Sequence, residues 1–337
     1  MKAFCVHQFG ATGVQQLEDV PPPQPGDGQV LVRVHAAGVN PADWYVVNGL
    51  FQIPPVLPFT PGFEAAGVVV QVGGGVDIRE GSRVCLTLPY LVNGNAQFGA
   101  FAEQVVVPAA NIIPIPDRLD FSAAAAFPVM YGTAHIALKH RAQLKPGETL
   151  LVTGGTGATG SAAIQMGRQL GATVIATTSG AEKLEKVKAL GADYAIDYKQ
   201  ENVAERVLEI TKHQGANVVF ETVGGELFGA AVQAIAWEGR LLPIGAASGK
   251  VPEIDVLKPL AGNFSIVGTD FASYTVRAID LVRRSLTEIL DWYNQGLLQA
   301  VSPQQVPLND AAVVVESVHS GQVGSKVVLQ MLASINL

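Results

Sequence analysis

At 337 residues the chain is longer than one average domain, and two domains are expected. With 48% hydrophobic and 15% charged residues it carries enough apolar material for packed cores, which excludes a disordered chain. A formal charge of −7 argues against nucleic acid as a partner, because phosphate recognition needs a basic face.

The N-terminus, Met1 to His7, lacks the apolar core and cleavage site of a signal peptide. Apolar runs elsewhere are broken by Gly, Pro or charge short of the roughly 20 residues that span a bilayer. A cytoplasmic protein with no membrane partner is expected. Cys5 and Cys85 stand in no metal-ligand spacing and read as reduced thiols filling apolar space.

The first third reads as β-rich. Val30 to Val34 follows a turn-prone stretch, Pro21 to Gly28, and suits a strand. Ala65 to Val72, Gly81 to Leu86 and Phe101 to Val107 follow at spacings typical of a small barrel or sandwich. From Ser122, read as an N-cap before Ala123 to Ala126, the texture changes. Strands are predicted over Thr149 to Thr153, Thr173 to Thr178, Tyr194 to Tyr198, Asn217 to Thr222 and Arg240 to Ile244. Helices are predicted over Gly160 to Leu170, Ala181 to Leu190, Val203 to Lys212 and Leu227 to Trp237. Such alternation builds an α/β doubly wound fold with a parallel sheet. Ile266 to Gly268 resembles a further strand, 275 to 295 a long amphipathic helix, Asn309 to Ser320 another helix, and Lys326 to Leu329 a closing strand. The borders are placed at 1–122, 123–265 and 266–337, with the last segment returning to the first domain.

The run Gly154 to Gly160 contains GxGxxG directly after an apolar strand and at the opening of a helix, the context in which that pattern binds a dinucleotide. Gly155 is assigned the tight turn, Gly157 the close approach to a diphosphate, and Gly160 the packing of helix on strand. Thr156, Ala158 and Thr159 complete the turn, whose helix N-terminus offers N–H groups and a positive dipole end. An NAD site usually places an acid about 20 residues further on. Here the strand ends in Thr177-Thr178-Ser179-Gly180, and Lys183 follows on the next helix. Hydroxyls and an ammonium favour a 2′-phosphate, and so NADPH.

These residues, with Ala36 to Tyr45, Pro61 to Val69, Gly99 to Glu103 and Gly132 to Ala134, resemble the zinc-independent quinone oxidoreductase branch of the medium-chain dehydrogenase/reductase superfamily. The resemblance implies a GroES-like β-rich catalytic domain made from both chain ends, with a Rossmann domain between them and the active site in the cleft. It implies Ser179, Lys183 and Tyr198 around the 2′-phosphate, Thr133 near the nicotinamide, Gly245 among the cofactor-binding positions, and a homodimer joined through the nucleotide domains, at the Ile266 to Gly268 strand. Asn40 and Phe63 stand where the zinc alcohol dehydrogenases place ligands. The six histidines show no paired spacing, so no metal site is expected.

Without a Lewis acid, a substrate that accepts hydride unaided is expected, a quinone first. Tyr45 is the candidate proton donor and Asn40 the candidate orienting group. Asp43 is either a member of the site or a structural acceptor of backbone bonds. Phe51, Phe63 and Met130 are candidate apolar walls or core. Two other readings stay open: a reductase of activated C=C bonds in enones or enoyl thioesters, and an NADPH-binding structural or regulatory protein with little turnover.

Overall fold

The computed structural model describes residues 1–10, 15–89, 91–92, 95–96 and 99–331. The chain divides into two compact units, one of residues 1–129, 271–296 and 300–337, the other of residues 130–270 and 297–299. The sequence places the borders at 122 and 265 instead. The observed division falls within the helix Phe127–His135, and Ser265–Ile266 hydrogen-bonds in parallel to Arg240 and Leu241, which ties it to the second unit's sheet.

The first unit is built on a seven-stranded sheet. Its spine is Gln29–Val39, buried along most of its length and paired antiparallel with Glu64–Val72 and Gln104–Pro108. The closing strand Val327–Gln330 pairs antiparallel with Ala36 to Val39, so the chain's end reinforces its beginning. Val30, Val32, Val69, Val84, Leu86, Phe101 and Val107 form the core, each worth roughly 1.5–3 kcal/mol on burial.

The second unit carries six parallel strands in the spatial order Tyr194–Asp197, Thr173–Thr178, Thr149–Val152, Ala216–Glu221, Ile235–Pro243 and Ser265–Ile266. By rank along the chain this is 3-2-1-4-5-6, the doubly wound Rossmann order. The order reverses between Thr149–Val152 and Ala216–Glu221, and a crevice opens at such a switch point, beyond the strands' carboxyl ends. Leu150, Leu151 and Val152 are fully buried, as a strand covered by helices on both faces must be.

Several local expectations need correction. The N-cap of the helix Phe121–Ala125 is Asp120, whose carboxylate accepts the Ala123 N–H at 2.9 Å, and not Ser122. Ser122 instead accepts a hydrogen bond from the Gln330 amide. The predicted helix 275 to 295 is two helices, Phe271–Arg277 and Ile279–Asn294, because Ala278 leaves helical geometry at φ −148°. The helix expected to reach Trp237 stops at Gln233, and the apolar Ile235 begins the fifth parallel strand.

Candidate active site

The glycine turn occupies the switch point. The helix Ala158–Gln169 starts from an extended Gly157 (φ −68°, ψ 163°), so the N–H groups of Ala158, Thr159 and Gly160 precede any intrahelical acceptor. Gly157 is exposed, and a Cβ there would meet only the Gly154 carbonyl, at 3.3 Å. That leaves room for an anion to approach the backbone. The tight left-handed turn falls on Gly154 (φ +64°) and not on Gly155. Gly155 is packed from three sides: a Cβ there would lie 3.0–3.1 Å from Val187, Ala176 and Ile164. Gly160 lets the helix close on the turn, since its Cβ would stand 2.3 Å from the Gly154 carbonyl oxygen. The Gly155 N–H donates to Thr177 O at 2.9 Å, and Thr156 Oγ1 lies 3.3 Å from Thr178 Oγ1, which pins the turn to the second strand.

At the end of that strand Ser179 is half-buried, Lys183 is exposed on the first turn of the next helix, and Tyr198 is 37% exposed. The Tyr198 N–H donates to Thr178 O at 3.1 Å, and this places Tyr198 beside Ser179 across the sheet edge. The second strand ends without an acid of its own, but the sheet register brings one from the third. Asp197 pairs with Thr178, and its two carboxylate oxygens accept the N–H groups of Gly180 and Lys199, each at 3.0 Å.

Glu221 was not anticipated as a site residue. It ends the fourth strand with no exposed surface, and its Oε1 accepts from Val223 N (2.9 Å), Gly224 N (2.9 Å) and Thr153 Oγ1 (3.0 Å). Burial pushes this carboxyl above its ordinary value. Thr222 Oγ1 donates to Thr153 O at 2.8 Å, so the loop after the fourth strand is tied to the start of the glycine turn. The Gly245 N–H lies 3.3 Å from Glu221 O, and a side chain at Gly245 would press on the Thr222 carbonyl. Thr133 is half-buried on the helix Phe127–His135, just before a wider π-helical turn, Ile136–Arg141.

In the first unit, the short helix Pro41–Val47 carries Asp43 and Tyr45 and starts from Asn40. Asn40 and Asp43 come together inside the protein, whereas Tyr45 faces outward. Asp43 is fully buried, and its Oδ2 accepts the Asn40 N–H at 2.7 Å. Burial raises its pKa to about 8, against the opposing pull of the Asn40 bond and the nearby Lys326 charge. The Asn40 amide is committed at both ends: Oδ1 accepts from Lys326 Nζ at 2.6 Å and Nδ2 donates to Glu64 Oε1 at 2.9 Å. Lys326 also reaches Glu64 Oε1 (2.6 Å) and the Val39 carbonyl (2.9 Å), and Glu64 Oε2 accepts the Val129 N–H at 2.7 Å. Glu64 and Lys326 escaped the sequence reading because their partners are remote along the chain. The strand pairings Gly38 with Glu64 and Val327 with Val39 assemble them.

Tyr45 is 38% exposed, with its ring edge-on to Trp44 and to His319 at 5.3 and 5.2 Å. Trp44 stacks on His319 at 3.7 Å and donates to Glu316 at 2.7 Å, which fixes the outer face of the helix. Phe51 packs against the buried Phe63 at 5.6 Å, and Met130 is buried.

Residues 26–117 match the family model for the alcohol dehydrogenase GroES-like domain, and residues 158–287 the model for zinc-binding dehydrogenase. The chain is 39% identical over 275 residues to the quinone oxidoreductase-like protein 2 homolog of Nematostella vectensis, covering 81% of this chain and 73% of that protein. It is 30% identical to human quinone oxidoreductase over 98% of both chains. The crystal structure of Escherichia coli quinone oxidoreductase complexed with NADPH superposes with a TM-score of 0.87 at 26% identity, over 98% of this chain and 100% of the other. A GroES-like domain and a Rossmann domain define an oxidoreductase of the medium-chain dehydrogenase/reductase superfamily, and within it the chain belongs to the quinone oxidoreductase family.

The second model's description raises zinc, and the residues do not fit it. Among the described residues no group of three or more His, Cys, Asp or Glu side chains is placed to hold a metal. Catalytic zinc needs three protein ligands. Here Asn40 is saturated by Lys326 and Glu64, and Phe63 offers no donor atom.

Proposed function

We propose that this protein is an NADPH-dependent quinone oxidoreductase that transfers hydride directly, without zinc. The observation that carries the reading is the pairing of an open glycine turn with a phosphate-ready edge. The turn offers the helix N-terminus of Ala158–Gln169 to a diphosphate. Ser179 and Lys183 follow the end of the second strand and Tyr198 the end of the third, which supports a 2′-phosphate there, while Asp197 is committed to backbone N–H groups. No carboxylate pairs with Lys183 among the described residues, so its charge is available to a 2′-phosphate. The NADPH complex of the E. coli neighbour supports the same cofactor.

Bound NADPH supplies the hydride. The chain's own residues then bind, orient and protonate. Gly154 to Gly160 hold the diphosphate, with Glu221 and Gly245 shaping the neighbouring loop. Thr133 serves the nicotinamide end. Tyr45, the exposed phenol on Pro41–Val47, donates the proton to the reduced oxygen, and Asn40 and Asp43 fix the segment that presents it. A quinone suits this equipment because it accepts hydride without a Lewis acid.

The unit built from both chain ends is the substrate domain in this reading. The reading includes a homodimer, which the second unit's edge supports: Ser265–Ile266 is exposed there, and Trp237, Leu257 and Leu260 stand 68%, 61% and 71% exposed. The reading places the enzyme in the cytoplasm, acting on a small molecule; no helix among the described residues is long and apolar enough to cross a membrane.

The test follows NADPH absorbance as 9,10-phenanthrenequinone is added, beside a parallel enone series. Rapid oxidation with the quinone is expected. Oxidation by enones alone would assign the protein to C=C reduction, and tight NADPH binding with no oxidation by either would make it a binding protein.

A further inference from the structure

The helix that carries Tyr45 has little to hold it in place by itself. Pro41–Val47 is too short to be stable alone, and locally only the capping box between Asn40 and Asp43 closes its first turn. Its first turn is also anchored from inside by a cation. Lys326 lies immediately before the closing strand, and the pairing of Val327 with Val39 sets it opposite Asn40. Its side chain is 3% exposed, and Nζ has three oxygen neighbours: Val39 O at 2.9 Å, Asn40 Oδ1 at 2.6 Å and Glu64 Oε1 at 2.6 Å.

Three acceptors use all three ammonium protons. Lys326 therefore has no donor left for substrate, and its action must pass through what it holds. Holding Asn40 Oδ1 orients the amide so that Nδ2 donates to Glu64. The Asn40 backbone N–H is in turn bonded to Asp43, within the same helix. Glu64 continues the chain of contacts to the Val129 N–H at the start of the helix Phe127–His135, which bears Thr133. Gly38 makes room for this, since a Cβ at that position would stand 2.3 Å from Glu64 Oε1.

We propose that Lys326 is a positioning residue: a tethered cation from the chain's end that clamps Asn40 and Glu64, and through them sets the helix presenting Tyr45. Its effect on turnover rests on the function proposed above; the clamp itself does not.

The experiment compares the wild type with Lys326→Met, the neutralised pair Lys326→Met/Glu64→Gln, and Asn40→Ala. Melting temperature, NADPH affinity, turnover and amide exchange of peptides spanning 40–50 are measured on each. Lys326→Met leaves a buried carboxylate without its partner and should melt much lower, whereas the double variant should recover most of that loss. In the recovered double variant, exchange across 40–50 should still be at least about tenfold faster than wild type. NADPH affinity should stay within about twofold, with kcat down about tenfold or more and KM little changed.

Wild-type exchange rates across 40–50 in the folded double variant would overturn the clamp. Loosened exchange with undiminished turnover would overturn the positioning role, as that would leave a purely structural pair. If the double variant fails to fold, Asn40→Ala decides, because it cuts the Lys326–Asn40 link and leaves the ion pair. A wild type inactive with every quinone would refute the functional reading while the exchange data still judge the clamp.

Discussion

The glycine turn and the buried polar cluster each hold a local geometry still, by opposite means. The turn is made of backbone. Gly154, Gly155 and Gly160 are there because side chains would collide, and what is offered to a ligand is N–H groups and open space at Gly157. The cluster is made of side chains, Asn40, Asp43, Glu64 and Lys326, all buried and joined by bonds of 2.6–2.9 Å. A backbone site is local in sequence and tolerates no added bulk. A side-chain site is assembled from both ends of the chain and tolerates no unbalanced charge.

Substitutions can break that contrast from either side. The largest effect is expected from Gly157→Asp, which puts bulk and negative charge where the turn is open. NADPH affinity measured by calorimetry should fall by about 100-fold or more with the melting temperature nearly unchanged. Unchanged affinity in a folded variant would put the dinucleotide elsewhere. Next, Tyr45→Phe should lower turnover by about tenfold or more and leave NADPH affinity intact, as expected of a proton donor in the other unit. An unaltered rate with every quinone would remove Tyr45 from the chemistry. Lys183→Ala should weaken NADPH by about tenfold, or about 1.4 kcal/mol, and NADH scarcely at all. Equal weakening of both would leave Lys183 as a solvated lysine.

A pH effect on stability is expected at Asp43. Its folded pKa is raised to about 8, so the folded state holds this proton more tightly than the unfolded chain does. The resulting stabilisation is complete below the ordinary aspartate range and is lost as pH rises through about 8. Melting temperature should therefore decline between about pH 5 and pH 8, and Asp43→Asn, neutral throughout, should flatten that decline. The same slope in both proteins would mean that Asp43 is not the titrating group.

The contrast also explains what the sequence could reveal. The glycine turn was legible because strand, glycines and helix are contiguous, and apolar runs such as Leu150 to Val152 declare a parallel strand by themselves. Even so, the turn's left-handed residue is Gly154, one place from the expected Gly155, since packing beneath the loop decides which glycine is inverted. Tyr45 and Asn40 drew attention as chemical types. Lys326 did not, because a lysine near the C-terminus looks solvated until strand pairing sets it beside Val39 and Asn40. Asp197 was passed over for a similar reason: it lies outside the second strand and reaches that strand's end only through the sheet register. Helix limits failed where one residue intervened, as Ala278 does between Phe271–Arg277 and Ile279–Asn294.

A crystal structure of the protein with NADPH bound is the most direct test. The diphosphate should rest on the N–H groups of residues 157–160, with the 2′-phosphate within hydrogen-bonding distance of Lys183 and at least one of Ser179 and Tyr198. A dinucleotide bound away from that turn, or a 2′-phosphate pointing into solvent and touching none of the three side chains, would contradict the assignment.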